Sequence, residues 1–177
     1  MGWVDRAGFE ALFNGFQRSV WRLETHGEYA EPDEKEALRQ FLAGEPVDQE
    51  WMADFLDWVR DETAAGKRFE RVRVVADPPT DYQRFLLSFT ADAVGAGEDI
   101  RLIHPDRAAA LRLGGDFWIF DDSRVAVLHF GDTGVTGAEV ITDSDVVGRY
   151  RAIRQRAWAA ATPFTEWERG RHPPRRA

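Results

Sequence analysis

A chain of 177 residues with 44% hydrophobic and 31% charged residues is long enough to bury one real core, and its net charge of −8 disfavours general nucleic-acid binding, because phosphates would be repelled. It has no cysteine, which excludes disulfides, thiolate metal sites and a cysteine nucleophile and fits a reducing cytoplasm. Residues 1–6 lack the apolar core of a signal peptide, and no apolar run reaches bilayer-spanning length, so the sequence reads as a soluble, cytoplasmic protein with no membrane partner.

Residues 5–24 predict an amphipathic helix, because Phe9, Leu12, Phe13, Phe16, Val20 and Leu23 recur at three-four spacing between a capping Asp5 and a stop at Gly27. Gly15 weakens its middle by about 1 kcal/mol relative to alanine. Pro32 suits a first helical turn, and a charged helix over 33–42 stops at Gly44. A third helix over 48–65 starts at a capping Asp48, ends at Gly66 and turns Trp51, Phe55, Trp58 and Val59 inward. Together these make an N-terminal helical layer, residues 1–66, packed on the same core as an α/β domain of residues 67–164.

The period then changes. Residues 69–75 alternate apolar with charged, the signature of a half-buried strand. Asp77-Pro78-Pro79-Thr80 breaks it, and Thr80 or Asp81 caps a helix over 81–94 that buries Tyr82, Phe85, Leu86 and Phe89. A strand at 100–103 completes a βαβ unit, so the two strands should be parallel with a right-handed crossover. Asp106 caps a short helix to 113, and Gly114-Gly115 leads into a hairpin of strands 117–120 and 125–130 with its turn at 121–124. A second turn at 131–134 precedes a strand at about 138–142. Asp143 then caps a closing helix over 144–161, with Val146, Val147, Tyr150, Ile153, Ala157 and Trp158 as its apolar stripe. Residues 165–177, rich in Arg and Pro at their end, predict a disordered basic tail. The fold class is α/β (α+β), a mixed sheet of about five strands with flanking helices.

Chemistry-bearing residues are sparse. Asp116, Asp121, Asp122 and Asp132 gather at the hairpin turns, where carboxylates either converge on Mg²⁺ or Ca²⁺ or serve the turns themselves; the turn reading is preferred, and no metal or cofactor is assigned. His26, His104, His129 and His172 show no paired zinc spacing, and His104 beside Asp106 reads as a helix cap. There is no GxSxG, and Gly95-Ala96-Gly97-Glu98 follows a helix and lacks the GK[ST] of a phosphate loop. Arg71 and Arg73 share one strand face, with Arg101 on the neighbouring strand. Pointing into one cleft they would hold a phosphate or carboxylate bidentately; otherwise they pair with Glu70, Asp81 or Glu98 on a solvated face.

Two resemblances rest on these residues. Phe13, Arg22-Leu23-Glu24, Tyr29, Trp58, Gly66-Lys67, Arg71-Val72-Arg73-Val74-Val75, Pro79-Thr80-Asp81-Tyr82, Gly97-Glu98-Asp99-Ile100-Arg101, residues 116–121, Trp158, Ala161 and Pro163 together resemble an actinobacterial family of unknown function. Its members are often encoded beside XRE-type helix-turn-helix regulators and small companion proteins, which implies a regulatory setting and such a protein as partner. Residues 69–163 also resemble one half of the phospholipase D fold, whose H-x-K-x4-D motif, aligned on Asp121, puts Asp116 at the lysine and Gly114 at the histidine nucleophile. Glycine cannot attack phosphorus and aspartate has the wrong sign to stabilise phosphate, so this resemblance implies a pseudoenzyme. The sequence therefore reads as a non-catalytic regulatory or protein-interaction domain. The alternatives are a small-molecule or phosphate-ligand binder using Arg71, Arg73, Arg101, Asp116 and Asp121, and a metal-dependent hydrolase using the Asp cluster.

Overall fold

The hairpin and the βαβ unit stand where the periodicity puts them, and the sheet extends well beyond both. A computed structural model describes residues 1–171. Among these, eight strands form one open mixed sheet in the order β1-β7-β6-β5-β2-β3-β4-β8, with seven α-helices around it. Strands β2 (Ser19–Glu24), β3 (Arg68–Val74) and β4 (Glu98–Ile103) run parallel at its centre. The antiparallel wing is β5 (Phe117–Phe120), β6 (Arg124–Gly131), β7 (Gly134–Ile141) and the edge strand β1 (Gly2–Asp5), while β8 (Thr162–Pro163) lines the other edge.

Helix α4 (Asp81–Ala96) makes the crossover from β3 to β4, with Thr80 and Gln83 in a reciprocal capping box and Gly97 closing it in a left-handed conformation. It covers one sheet face with α1 (Arg6–Glu10), α2 (Lys35–Ala43), α3 (Glu50–Ala64) and α7 (Phe164–Arg171), over a core that includes Phe16, Val20, Phe69, Phe85, Ile100 and Phe120. Helices α5 (Pro105–Ala110) and α6 (Ser144–Ala160) cover the other, over Trp21, Leu23, Val72, Phe117, Ile119 and Val125. The strict alternation between these two sets is the period-two pattern of strands buried on both faces.

Several expectations are corrected. The helix expected over 5–24 ends early: α1 and a 3₁₀ turn (Ala11–Asn14) stop at Gly15, and residues 19–24 form β2 at the heart of the sheet. The cause is distant in sequence. The Asp121 carboxylate accepts the backbone N–H groups of Gln17, Arg18 and Ser19 at 2.8, 2.7 and 3.0 Å, which turns the chain outward and launches it as a strand. With β1, β2 and β8 added, the sheet has eight strands rather than about five, and residues 1–66 contribute two of them. Helix α3 buries Met52, Leu56 and Val59, while Phe55 stands 36% exposed. His104 caps α5, as read for that residue, its Nδ1 accepting the Asp106 N–H at 3.2 Å, and Asp106 itself is not the cap. Residues 164–171, placed largely in the tail by the sequence, are helical with Phe164 buried; the rest of that tail, His172 included, lies outside the described residues.

Candidate functional site

Strand register decides which charged side chains meet. Arg22 lies level with Arg71, and Glu24 with Arg73, on adjacent parallel strands, so all four project from the face covered by α1–α4. Glu98, at the start of β4, joins them. Glu24 is the hub of this buried network. Its Oε1 accepts from Arg71 at 2.6 Å and lies 3.2 Å from Arg22, and its Oε2 accepts Arg73 Nε–H at 2.5 Å. Arg71 Nε–H donates to Glu98 at 2.7 Å, and Arg73 reaches the Thr90 hydroxyl at 3.3 Å.

Burial alone would raise the pKa of Glu24, but the three guanidinium charges and the Arg73 bond outweigh it and hold the carboxyl far below the usual range. Burial opposes the charge of Arg71 too, and Glu24 with Glu98 more than restores it, so Arg71 is held more firmly charged than a free arginine. Glu34 moves the other way: burial pushes its carboxyl up, against the bond donated by the Tyr82 hydroxyl.

The network floors a cleft of two lobes, each about 210 Å³, that share Arg22, Glu34, Arg71, Arg73 and Leu86. One lobe, beneath α3 and α4, is walled by Trp51, Met52, Phe55, Phe89 and Ile100. The other is polar, with Arg6, Glu10, Glu31, Tyr29 and Tyr82 around Trp118. Arg22 belongs to both and is the least committed of the three network arginines. Its guanidinium lies 5.1 Å from the Trp118 ring and 5.6 Å from the Tyr29 ring, its side chain is 17% exposed, and its ion pair with Glu24 is the one it makes among the described residues. The Arg22 Nε–H and the indole N–H groups of Trp51 and Trp118 are buried with no hydrogen-bond partner among the described residues. Unpaired buried donors are uncommon, and two more, the Trp21 indole N–H and Arg101 Nε–H, lie on the opposite face of the sheet.

The five arginines and aspartates proposed from sequence do not form one site. Arg71 and Arg73 are in the cleft, but locked by buried glutamates rather than lying on a solvated face. Asp116 borders it, fully buried. Its carboxylate accepts from Thr25 N–H at 2.9 Å, from the Thr25 hydroxyl at 2.5 Å and from the Tyr29 hydroxyl, with His26 Nδ1 at 3.0 Å. Arg101 is on the opposite face because it pairs level with Val72; it stacks 3.9 Å from the Trp158 ring of α6. Asp121 sits at the far end of the hairpin, holding the backbone before β2. Asp122 pairs with Arg154 at 2.6 Å, and no group of three or more acidic or histidine side chains that could hold a metal occurs among the described residues. Sequence reasoning missed Arg22, Glu24, Tyr29, Glu34 and Trp118. The available signal was the alternation Val20-Trp21-Arg22-Leu23-Glu24, hidden by the helical spacing of the phenylalanines before it.

A family model matches residues 7–169, a span that contains the whole network, Trp51 and Trp118. The chain belongs to the family described as a domain of unknown function, DUF6879. A comparison with curated proteins finds no significant match. The DUF6879 domain thus carries its charged network and cleft within the matched span, and none of its helices among the described residues is long and apolar enough to cross a membrane.

Proposed function

We propose that this DUF6879 chain is a non-catalytic binding domain whose cleft takes a small molecule bearing a negatively charged group. One observation carries the reading. Arg22 reaches both lobes with donors to spare, while Arg71 and Arg73, which fix its surroundings, are neutralised from behind by Glu24 and Glu98. A guanidinium already oriented by two aromatic faces loses little freedom on pairing with an anion, which favours binding. Among the described residues that line the cleft there is no Ser or Cys, and Asp116, which a phospholipase D-like alignment sets at the lysine position, is taken up as an acceptor by Thr25 and Tyr29.

A regulatory role, as the sequence resemblance implies, follows naturally. Phe55 forms part of the apolar lobe and stands 36% exposed, so an occupant would alter what α3 presents to a protein partner. Thermal-shift screening with carboxylates, phosphates, nucleotides and neutral sugars tests the binding claim. Anion-bearing compounds should raise the melting temperature in a saturable way, and the Arg22→Gln variant should lose that response. A flat response to every anionic class would dismiss the reading.

A further inference from the structure

Most charges around the cleft are matched by a partner; Arg22 and Glu34 are the exceptions. Resting on the anion-binding reading above, we infer that the ligand is a free α-amino acid with an apolar side chain, its carboxylate on Arg22, its ammonium on Glu34 and its side chain in the lobe walled by Trp51 and Phe89.

The remaining charges form closed pairings. Arg71 lies between Glu24 at 2.6 Å and Glu98 at 2.7 Å, and Arg73 lies on Glu24 at 2.5 Å. Arg6 pairs with Glu10 at 2.9 Å and Glu31 at 3.3 Å, and Asp116 is held by Thr25, Tyr29 and His26. Arg22 has one ion pair, at 3.2 Å, to a Glu24 oxygen that Arg71 already holds more closely, and its Nε–H has no acceptor among the described residues. Glu34 makes no ion pair among the described residues. Its Oε2 accepts the Tyr82 hydroxyl, and its Oε1 is without a hydrogen bond among them. Both residues line both lobes, and they are close enough for the charge of Arg22 to act on the Glu34 carboxyl.

A donor wanting an anion beside a carboxylate wanting a cation is the pattern that recognises a zwitterion. A ligand with an anion alone would serve Arg22 but enlarge an acidic excess, because Glu10, Glu24, Glu31, Glu34 and Glu98 already outnumber the four arginines of the cleft. A ligand with a cation alone would serve Glu34 and leave the Arg22 Nε–H without an acceptor. An ammonium beside the carboxylate answers both, and it supplies Glu34 with the counter-charge that its burial calls for. The planar guanidinium, set against Trp118 and Tyr29, matches a carboxylate through two parallel hydrogen bonds.

Shape places the side chain. A cavity of about 150 Å³ lined by apolar groups holds benzene, so a lobe of about 210 Å³ takes a side chain as large as that of phenylalanine. Phe89 stands edge-on to Trp51 at 5.7 Å, and such walls favour a further ring in offset or edge-to-face contact. The second lobe carries Arg6, Glu10, Glu24 and Glu31, charges that an apolar group would strip of water.

Isothermal titration of the whole chain with L-phenylalanine, 3-phenylpropanoate, phenethylamine and inorganic phosphate tests this. L-Phenylalanine should bind, and the propanoate and the amine, each lacking one charged group, should bind at least roughly tenfold more weakly, because a site built to pair a polar group rejects the analogue without it. Glu34→Gln, which keeps an acceptor for Tyr82, should bind phenylalanine at least roughly tenfold more weakly than the parent does, yet bind the propanoate no less tightly. A merely structural role for Glu34 would weaken both ligands together. Arg22→Gln should abolish binding of both. Should that variant fail to fold, Leu86→Trp, which fills the apolar lobe and leaves both charged residues in place, should abolish both while circular dichroism stays unchanged. Propanoate or phosphate binding as tightly as phenylalanine would overturn the amino acid and leave the anion site standing. Tightest binding by phenethylamine would overturn this inference and the anion reading together. Phenylalanine binding that survives Glu34→Gln or Leu86→Trp unchanged would overturn the placement. Silence from all four probes would remove this inference, and the thermal-shift screen of the wider anion classes would then decide the reading beneath it.

Discussion

Glu24 is 3% exposed and faces three guanidinium groups, a density of buried charge that survives only because each member completes the others. Glu24→Gln keeps the shape but turns an acceptor-only carboxylate into an amide whose N–H₂ must point at an arginine. Three buried cations are then left with Glu98 alone. Removing one partner of a buried ion pair costs about 3–5 kcal/mol, and that loss is expected in urea-unfolding free energy. A loss below about 1 kcal/mol would mean that water, not Glu24, balances Arg71 and Arg73. At this scale the sequence was half legible. Arg71 and Arg73 were found because a charged residue alternating with valines announces a strand face. What those arginines face was not found, because their partner Glu24 lay in a stretch whose helical spacing concealed a strand.

At the scale of elements, local chemistry was the readable part. Caps at Asp5, Thr80 and Asp143, the stops at Gly44 and Gly97, and the hairpin around Asp121 and Asp122 all use residues whose preferences act within a few positions. Strands β1 and β2 were unreadable because long-range partners make them: β1 exists by pairing with β7, and β2 by the Asp121 bonds and two sheet neighbours. Gly137 permits the first of these. A Cβ there would lie 2.3 Å from the Val4 carbonyl oxygen and 2.6 Å from the Trp3 ring, so only glycine lets the edge strand close on β7. Gly137→Ala should release β1 and leave the central sheet intact. Backbone amides of residues 2–5 should then exchange with deuterium at rates near those of a free chain, while amides of β3 stay protected. Continued protection of residues 2–5 would show that the strand shifts register instead.

For the whole molecule, one sheet buried on both faces separates an apolar layer under α5 and α6 from a layer that mixes aromatic packing with charge. That asymmetry predicts how stability follows pH. Glu24 has a folded pKa far below the ordinary glutamate value of 4.5, so its contribution is complete above about pH 4.5 and is lost as pH falls below it. Asp121, lowered by its three backbone donors against the opposing effect of burial, acts in the same direction in the acid range. Glu34 acts oppositely: raised by burial, it binds its proton more tightly when folded, and so subtracts stability as pH climbs through and above its ordinary value of 4.5. Two isosteric substitutions should therefore diverge. Glu24→Gln should be far less stable than the parent at neutral pH, with the gap narrowing towards pH 3 as the carboxylate of the unfolded parent takes up its proton. Glu34→Gln retains an acceptor for the Tyr82 hydroxyl and sheds the buried charge, so at neutral pH it should match or exceed the parent in unfolding free energy. Its advantage should shrink on acidification, because the parent's Glu34 is then protonated as well. Urea titrations of the three proteins at neutral pH and near pH 4 measure both trends. A Glu34→Gln variant markedly weaker than the parent at neutral pH would show that the charged Tyr82–Glu34 bond, rather than burial, governs that corner of the cleft.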